Sequence, residues 1–348
     1  MSQYSSKQSL ELGIDTQCDL RSDTVTRPDA AMRAVMAEAE VGDDVYGEDP
    51  SIARLEATLA ERLGKDAALF LPSGTQSNLI AMLAHCGRGE EVITGRDYHV
   101  YKYEAGGASV LGGCVLDPRR VEPDGGLCAA DIAKAIKADD AHHPISRLLS
   151  LENTHNGMAV PLARCVEVVD VARAAGLSTH LDGARFFNAT VALQCGEKAL
   201  AAPFDTVSIC LSKGLGAPVG SVLVGRSDLI GKGRRLRKIL GGGMRQAGVL
   251  AAAGLYALEH NTARLADDHA RAAELKAALA TAGITDVRGD TNMLFLRVES
   301  DVQERLVASL TAAGVKINFG ENEPLRLVLH KDVTDVGFAA LLSAVRSF

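Results

Sequence analysis

Residues 67–86, AALFLPSGTQSNLIAMLAHC, decide the fold of this chain. The apolar run Ala67–Leu71 has the length of a buried strand, and a polar turn, PSGTQSN, follows it directly. The apolar stretch at 79–86 then has the composition of a helix. The same order recurs along the chain, with further apolar runs at 91–94, 148–151, 178–181, 206–211 and 221–224 and helical segments such as 166–175 between several of them. Continuously apolar strands that alternate with helices predict an α/β fold with a mostly parallel sheet covered on both faces.

The composition and the apolar pattern of the sequence predict two domains after a loose N-terminal arm at 1–18, where no periodicity is visible. The large α/β domain is expected at 19–260. The remaining residues, 261–348, are expected to form a smaller α+β domain, since 348 residues exceed what one core usually supports. Its predicted elements are a charged helix at 262–282, strands at 292–298 and 325–330 with another helix between them, and a C-terminal helix at 337–348.

Composition limits the classes of function. Hydrophobic residues make up 47% of the chain and charged residues 23%, as in ordinary soluble proteins. The net charge of −7 offers no broad cationic surface, so we expect neither nucleic acid nor a membrane as a partner. The densest basic run, KGRRLRK at 232–238, is either a solvated helix face or a local anion site. The apolar stretch at 249–258 is too short to span a bilayer.

Seven scattered cysteines include no pair at Cys-x-x-Cys spacing, so we expect neither a bound metal nor a redox pair. They are best interpreted as reduced thiols of a cytosolic protein. The polar N-terminal stretch also lacks the apolar centre of a signal peptide. A cytoplasmic location is therefore expected.

Three polar motifs directly follow predicted strands, where an α/β sheet places its binding site. The first is Ser73-Gly74-Thr75, between a strand and a helix. Exposed amides and the helix dipole favour a phosphate group there. Turns of this composition are common, however, and usually only cap helices. The motif alone leaves both interpretations open.

The second motif is HLDGAR at 180–185, which places Asp182 at a strand end. An aspartate in this position often only caps the next helix. A carboxylate there could equally pair with a protonated pyridine nitrogen, which makes pyridoxal phosphate an electron sink.

The third motif is SICLSKGLGAPVG at 208–220, in which Lys213 directly follows a buried strand. Lysine is rarely buried unless it is paired or functional. The glycines after it admit the close approach of something bulky and flat, and a lysine amine in such a pocket can form a Schiff base. The alternative is a lysine that extends from the strand end into solvent. The order of phosphate turn, aspartate and lysine is typical of one large group of pyridoxal-phosphate enzymes.

Seven blocks of the sequence resemble the signature blocks of the low-specificity and allo-type L-threonine aldolases, in the family's order from about residue 19 onward. They are DLRSDTVTRP (19–28), VGDDVYGEDP (41–50), LFLPSGTQSN (69–78), LENTHNG (151–157), HLDGARFFNA (180–189), SICLSKGLGAPVGS (208–221) and GGGMRQAG (241–248). The resemblance implies an aspartate-aminotransferase-like fold (fold type I), with a mostly parallel seven-stranded sheet flanked by helices. It also implies pyridoxal 5'-phosphate as the cofactor and a homotetramer with active sites at subunit interfaces.

The resemblance implies how matching residues hold the cofactor. Lys213 would carry it as a Schiff base, and Asp182 would pair with its ring nitrogen. Ser73-Gly74-Thr75 would hold the phosphate. His99 matches a histidine that stacks on the ring and helps to move protons.

A second set of matching residues is implied for the substrate. Arg185 would reach the ring's phenolic oxygen or the substrate carboxylate, which Ser22 and Arg326 would also bind. His142 matches a histidine near the substrate hydroxyl. Two of these positions have plain alternatives, because Arg326 lies in an alternating strand and would naturally face solvent, while His142 is compatible with a surface loop.

Three positions are implied to act across a subunit boundary. Lys238 and Arg245 would contribute to the phosphate site of a neighbouring subunit. Tyr46 would either reach a neighbour's substrate or only pack.

The implied activity is retro-aldol cleavage of L-threonine, L-allo-threonine and other L-β-hydroxy-α-amino acids to glycine and an aldehyde. The substrate amine would displace Lys213, and His99, His142 or a bound water would take the proton of the β-hydroxyl. One alternative is a β-eliminating lyase of the same fold, which uses the same cofactor residues. Another is a binding protein that has lost catalysis, against which the retained lysine and aspartate count. A nicotinamide dehydrogenase is excluded, because no Gly-x-Gly-x-x-Gly turn follows the first strand.

Overall fold

The computed structural model describes residues 18–320 and 324–348. The predicted N-terminal arm at 1–18 lies outside the described residues, apart from Cys18, which begins the first strand. The strands in chain order are β1 (Cys18–Asp19), β2 (Ala67–Leu71), β3 (Glu91–Gly95), β4 (Val115–Arg119), β5 (Ser146–Glu152), β6 (Ser178–Gly183), β7 (Thr206–Cys210), β8 (Ser221–Gly225), β9 (Val287–Arg288), β10 (Met293–Leu296), β11 (Val315–Lys316) and β12 (Leu325–Val328).

The helices alternate with these strands through most of the described chain. In chain order they are α1 (Ala30–Ala37), α2 (Pro50–Leu63), α3 (Gly74–His85), α4 (His99–Lys102), α5 (Gly107–Gly112), α6 (Ala129–Ala135), α7 (Leu162–Ala174), α8 (Phe186–Leu193), α9 (Glu197–Ala201), α10 (Ser227–Ile239), α11 (Gly248–His260), α12 (Leu265–Thr281), α13 (Ser300–Ala312) and α14 (Asp335–Arg346). A single turn of 3-10 helix covers Asp23–Val25. Among the described residues, no helix is long and apolar enough to cross a membrane.

The central sheet has seven strands in the order β2-β8-β7-β6-β5-β3-β4. Every neighbouring pair is parallel except the two that involve β8, which runs antiparallel to β2 and β7. The strands β3, β7 and β8 are buried along their whole length, as expected of strands covered on both faces. The predicted mostly parallel seven-stranded sheet is confirmed. Its topology brings the carboxyl ends of β2, β3, β5, β6 and β7 to one edge.

Helix α3 begins earlier than predicted, at Gly74 instead of residue 79. Ser73 accepts a hydrogen bond from the Gln76 amide at 3.2 Å and caps the helix, so the polar residues of the predicted turn form its first turns. The edge strand β4 was not predicted. Its sequence, VLDPR, carries two charges and a proline, which a sheet tolerates only at an edge.

A second hydrophobic core surrounds the antiparallel sheet β12-β10-β9 and the helices α12, α13 and α14, and it includes Cys18 and Leu20 from the start of the described chain. Along β12 the sequence predicted that buried leucines alternate with residues that face solvent. The leucines are buried, but Val328 and His330 are buried as well. Leu20 lies beside this strand, where its carbonyl accepts a hydrogen bond from the Val328 amide at 3.0 Å. We keep the domain boundary near residue 261 as a proposal.

Two histidines, the half-buried His85 and the fully buried His180, predict a loss of stability in acid. Burial lowers the pKa of His85 to about 4 and, with the charge of His85, that of His180 to about 3. In the unfolded chain a histidine has a pKa of about 6.5. Above that pH both histidines are mostly neutral in the folded and in the unfolded chain, so neither changes the free energy of unfolding. As the pH falls below 6.5, the unfolded chain binds protons that the folded chain refuses, so stability is lost. We expect each histidine to lower the free energy of unfolding by about 1 kcal/mol between pH 7.5 and 5.5.

Urea unfolding of the apoprotein at both pH values measures this effect. His85→Gln should reduce the pH dependence by one histidine's share, because glutamine can keep the hydrogen bond without titrating. Equal pH dependence in the variant and the wild type would exclude His85 as a source.

Candidate active site

The predicted site residues gather at the carboxyl edge of the central sheet. Ser73 follows β2, His99 follows β3, Asp182 lies near the end of β6, and Lys213 follows β7. Because β6 and β7 are neighbours in the sheet, the aspartate and the lysine leave adjacent strands. The sheet topology therefore brings together the three polar motifs that the sequence singled out.

The phosphate motif lies at the N-terminus of the twelve-residue helix α3. Ser73 and Thr75 are exposed. A Cβ placed on Gly74 would meet only the Ser221 Oγ, at 3.5 Å. That hydroxyl is buried and has no hydrogen-bond partner among the described residues. An unsatisfied hydroxyl beside the positive end of a helix fits a bound phosphate group.

Asp182 is almost fully buried and held on both sides. Its Oδ1 accepts a hydrogen bond from the Ala184 amide at 3.0 Å, and its Oδ2 accepts one from Asn78 Nδ2 at 2.9 Å. The first bond closes a local turn before α8 and does not cap that helix, whose N-cap, Arg185, forms no side-chain capping hydrogen bond, so the helix-capping alternative is wrong. The second fixes the plane of the carboxylate, so the site presents an oriented acid, as pairing with a pyridine nitrogen requires.

His99 is fixed by two carboxylates at the start of α4. Its backbone amide donates to Glu152 Oε2 at 2.6 Å, and its Nδ1 contacts Glu104 Oε1 at 2.8 Å. Burial alone would lower the pKa of His99, but the hydrogen bond to Glu104 and the charge of Asp182 outweigh it and the pKa is raised. The imidazole, with 40% of its side chain exposed, can therefore hold a proton at the mouth of the site.

Glu104 completes this group of acids. The hydrogen bonds from His99 and from Asn78 Nδ2, at 2.8 Å each, do not fully offset its burial, and its pKa is raised. One ligand atom each from His99, Glu104 and Asp182 lies within 4.8 Å of the others, close enough to hold a metal ion. The hydrogen bonds through Asn78 and His99 account for the same proximity, and the sequence prediction was that no metal binds.

The backbone of Lys213 is anchored from two directions. Its carbonyl accepts hydrogen bonds from Thr26 Oγ1 at 2.8 Å and from the Gly216 amide at 2.9 Å. The half-buried side chain lies within electrostatic range of Asp23 and His99, since the lysine charge lowers the pKa of both. Within residues 18–320 and 324–348, its amine forms no hydrogen bond or ion pair. An anchored backbone with an unengaged amine suits a nucleophile.

The glycines after Lys213 do not have the role predicted for them. A Cβ on Gly214 would approach Leu265 Cδ2 to 3.1 Å, and one on Gly216 would clash with Lys331 Cε at 2.3 Å. Gly216 also has a positive φ of 77°. These glycines therefore make room for protein side chains and for a turn, not for a flat bound group.

Arg185 is engaged by a residue that sequence reasoning missed. Its Nε and Nη2 donate to the two carboxylate oxygens of Asp23, at 2.8 and 2.6 Å. Burial would raise the pKa of Asp23, but the charge and hydrogen bonds of Arg185 outweigh it and the pKa is lowered. The bidentate pair fixes the guanidinium plane in the site.

Ser22 directly precedes Asp23, and Arg326 of β12 contacts the same segment. Arg326 is half-buried, and its Nη2 donates to the Arg21 carbonyl at 2.7 Å, so the solvent-facing alternative is wrong. Ser22 Oγ accepts hydrogen bonds from the amide and the hydroxyl of Thr24, at 3.2 and 2.8 Å. The residues expected to bind a carboxylate therefore converge on residues 21–23.

Four predicted residues lie elsewhere in this chain. His142 is exposed before β5, at the amino edge of the sheet, where its Nδ1 contacts Asp140. Tyr46 is 75% exposed in a loop, Lys238 is exposed near the end of α10, and Arg245 pairs with Asp43 at the surface. In the described part of the chain, no hydrogen bond or ion pair joins any of the four to Lys213.

The basic run at 232–238 is in part a solvated helix face and in part a local anion site. Most of its cations are exposed along α10, as on a solvated face. Arg237 is instead buried, with its Nη2 on Asp44 at 2.6 Å and its Nη1 on the Phe70 carbonyl at 2.9 Å. The anion that this arginine binds is a side chain of the same subunit.

Three functional residues escaped the sequence reasoning: Asp23, Asn78 and Glu104. Two of them had a signal, because Asp23 and Asn78 lie inside blocks that were singled out for their neighbours. Glu104 had none, since it joins the site through the fold of the loop after α4. All three orient a predicted residue.

Asp23→Asn should weaken substrate binding more than turnover. Without the second carboxylate oxygen, Arg185 loses one of its two hydrogen bonds and its fixed plane, so we expect KM for L-threonine to rise about tenfold with a smaller change in kcat. Steady-state kinetics measure both constants. Asp29→Asn is the matched control, because Asp29 only caps α1. A fall in kcat at unchanged KM would contradict a substrate-binding role for the Asp23–Arg185 pair.

Comparisons with known proteins show the family and the fold of this chain. A family model described as beta-eliminating lyase matches residues 19–301. The chain is 50% identical to the low specificity L-threonine aldolase of Escherichia coli (strain K12) over 330 residues. The aligned region covers 95% of this chain and 98% of that protein. A threonine aldolase from Leishmania major shares the fold with a TM-score of 0.82 and 23% identity, over 95% of this chain and 99% of the other.

A serine palmitoyltransferase structure with PLP also has this fold, with a TM-score of 0.75 and 18% identity over 96% of this chain and 90% of that one. The structural likenesses confirm the expected fold, and the sequence identity confirms the resemblance seen in the seven blocks. The chain therefore belongs to the beta-eliminating lyase family and, within it, to the low-specificity L-threonine aldolases.

Proposed function

We propose that this protein is a pyridoxal-phosphate-dependent aldolase that cleaves L-threonine, L-allo-threonine and related L-β-hydroxy-α-amino acids to glycine and an aldehyde. One observation carries the proposal. An oriented aspartate, Asp182, and an unengaged lysine, Lys213, leave adjacent strands at the edge where the helix α3 offers a phosphate site.

The residues present fit the cofactor. Ser73, Gly74 and Thr75 would hold its phosphate with the unsatisfied Ser221 hydroxyl beside them. Asp182 would keep the ring nitrogen protonated, and the Lys213 amine would bond to the cofactor's aldehyde carbon. When bound, pyridoxal phosphate supplies a sink for the electrons of the Cα–Cβ bond.

The chain's own residues would then orient the substrate. Arg185, held in its plane by Asp23, and Arg326, on the adjoining segment, provide cations for the substrate carboxylate. Ser22 adds a hydroxyl beside them. A carboxylate fixed in this way would orient the substrate so that its Cα–Cβ bond is the one selected for cleavage.

Proton transfer at the β-hydroxyl needs a group at the mouth of the site. His99 lies there with its Nδ1 committed to Glu104, so its Nε2 can exchange a proton with the substrate or with a bound water. His142 would serve only in the site of another subunit, because it lies at the opposite edge of its own sheet.

A second subunit would complete the site, as part of a homotetramer. Asp44 donates its amide to the Arg245 carbonyl at 3.2 Å, which ties the loop at 41–49 to the segment at 241–248. The large apolar side chains exposed around this junction are Val41, Val45, Tyr46, Ile239 and Val249. A second copy would cover this patch and bring Tyr46, Lys238 and Arg245 to a neighbour's site.

Ile239→Lys should shift the assembly toward smaller species in sedimentation.

The seven cysteines support the proposed cytoplasmic location. Each of them, Cys18, Cys86, Cys114, Cys128, Cys165, Cys195 and Cys210, is a free thiol. Proteins of oxidising compartments commonly pair their cysteines, whereas cytosolic proteins keep them reduced.

Product analysis tests the proposed reaction. Purified protein is supplied with pyridoxal phosphate and L-threonine, L-allo-threonine or L-phenylserine, each with its D-enantiomer as a control. Glycine and the matching aldehyde, from L-substrates only, are the expected products. A 2-oxo acid and ammonia would instead identify a β-eliminating lyase, and an absence of any product would favour a protein that has lost catalysis.

A further inference from the structure

A line of hydrogen bonds runs from Asp182 through the central sheet toward the outside of the large domain. Asn78 Nδ2 donates to Asp182 Oδ2 at 2.9 Å, and Asn78 Oδ1 contacts His180 Nε2 at 3.2 Å. His180 Nδ1 contacts Thr206 Oγ1 at 2.9 Å, and the same hydroxyl contacts His85 Nε2 at 2.9 Å. Asn78, His180 and Thr206 are at most 2% exposed.

The chemistry of these groups fixes the direction of every hydrogen bond. The Asn78 amide nitrogen faces two carboxylates, Asp182 and Glu104, so its oxygen must accept from His180 Nε2. A neutral His180 that donates from Nε2 must accept at Nδ1, which uses the single proton of the Thr206 hydroxyl. That hydroxyl then accepts from His85 Nε2.

The resulting chain donates toward Asp182 at every step. Burial lowers the pKa of His180 to about 3 and that of His85 to about 4, so both imidazoles are neutral near pH 7, as the assigned directions require. Aligned hydrogen bonds polarise one another, and a carboxylate that accepts a hydrogen bond is stabilised as the anion. The Asn78 amide nitrogen also lies between Glu104 and Asp182, whose like charges repel each other.

We propose that His85, Thr206, His180 and Asn78 form a positioning relay that keeps the Asp182 carboxylate oriented toward the cofactor's ring nitrogen. The inference rests on the proposed function, since it needs a ring nitrogen for Asp182 to bind. The relay contacts neither substrate nor cofactor. Its contribution to cofactor affinity should therefore depend on whether the ring has a nitrogen at the position that faces Asp182. A purely structural contribution would be the same for either atom.

The test compares the affinities of two cofactors by equilibrium dialysis: pyridoxal phosphate and its analogue with a carbon in place of the ring nitrogen. Thr206→Val breaks the relay without a change in size. It should lower the affinity for pyridoxal phosphate about tenfold, and that for the analogue by less than about twofold, because only the first compound offers Asp182 a partner. His180→Leu should act in the same way, and His180→Gln should restore part of the affinity, because its amide can still donate toward Asn78.

Thr179→Val is the matched control. Thr179 is fully buried on the same strand as His180, and its hydroxyl donates to the Pro203 carbonyl at 3.1 Å, away from Asp182. This variant should leave the ratio of the two affinities unchanged, although it also loses a buried hydrogen bond.

Different results would refute the role of Asp182 and the role of the relay. Wild-type protein that binds both compounds equally would refute the role of Asp182, and the proposed function and the relay would both fall. Wild-type protein that prefers pyridoxal phosphate, with Thr206→Val and His180→Leu retaining the same preference, would overturn the relay alone. Equal weakening of both compounds in these variants would also overturn it.

Discussion

Lys213→Ala should lower kcat/KM for L-threonine cleavage by at least about 10⁴-fold, because it removes the amine that we propose to bond the cofactor. In the described residues, the Lys213 amine is unengaged while its backbone is anchored by Thr26 and Gly216. The variant should fold normally, since the aliphatic part of a half-buried lysine contributes little to the core. A coupled aldehyde assay measures the loss.

Lys65→Ala is the matched control for this variant. Lys65 precedes β2 at the opposite edge of the sheet, where its Nζ donates to the Phe204 carbonyl at 2.6 Å. Its loss should affect stability and leave kcat/KM within about threefold of the wild type. Threonine cleavage by Lys213→Ala at the wild-type rate would refute the assignment of the lysine.

Asp182→Asn should lower kcat by about 10²–10³-fold, because an amide cannot keep the cofactor's ring nitrogen protonated. The variant is nearly the same size, but it places two amides, those of residues 78 and 182, against each other. Because the ring then withdraws electrons weakly, bond cleavage should suffer more than substrate binding, and KM should change less than kcat.

Asp205→Asn provides the comparison. Asp205 lies at the amino end of β7 and accepts a hydrogen bond from the Thr179 amide at 2.8 Å, remote from the site edge. It should have nearly wild-type kinetics at reduced stability. Equal effects of the two substitutions on kcat would show that Asp182 acts through the fold and not on the cofactor.

The parts of the site that sequence predicted are those fixed by a strand end. Ser73, Asp182 and Lys213 each directly follow or end an apolar run, and parallel strands carry all such residues to one edge whatever the rest of the fold does. The seven strands of the main sheet were predicted for the same reason, apart from the charged edge strand β4. The two-residue strands β1, β9 and β11 were missed, because they are too short for any periodicity.

The residues that sequence missed are those that reach the site by tertiary contact. Asp23 meets Arg185 across 162 residues, and Asn78 meets Asp182 across 104, so no local pattern could link them. Gly214 and Gly216 were misinterpreted because a glycine indicates close approach without identifying what approaches. Tyr46, Lys238, Arg245 and His142 cannot be placed in a site from one subunit at all.

The most direct test of the central claim is to map the cofactor on the chain. The protein is incubated with pyridoxal phosphate, reduced with sodium borohydride, digested and analysed by mass spectrometry. We predict one reduced pyridoxyl adduct, on the peptide that contains Lys213, and none on Lys65 or Lys238. An adduct on another lysine, or no adduct under conditions in which the protein cleaves threonine, would contradict the assignment of Lys213.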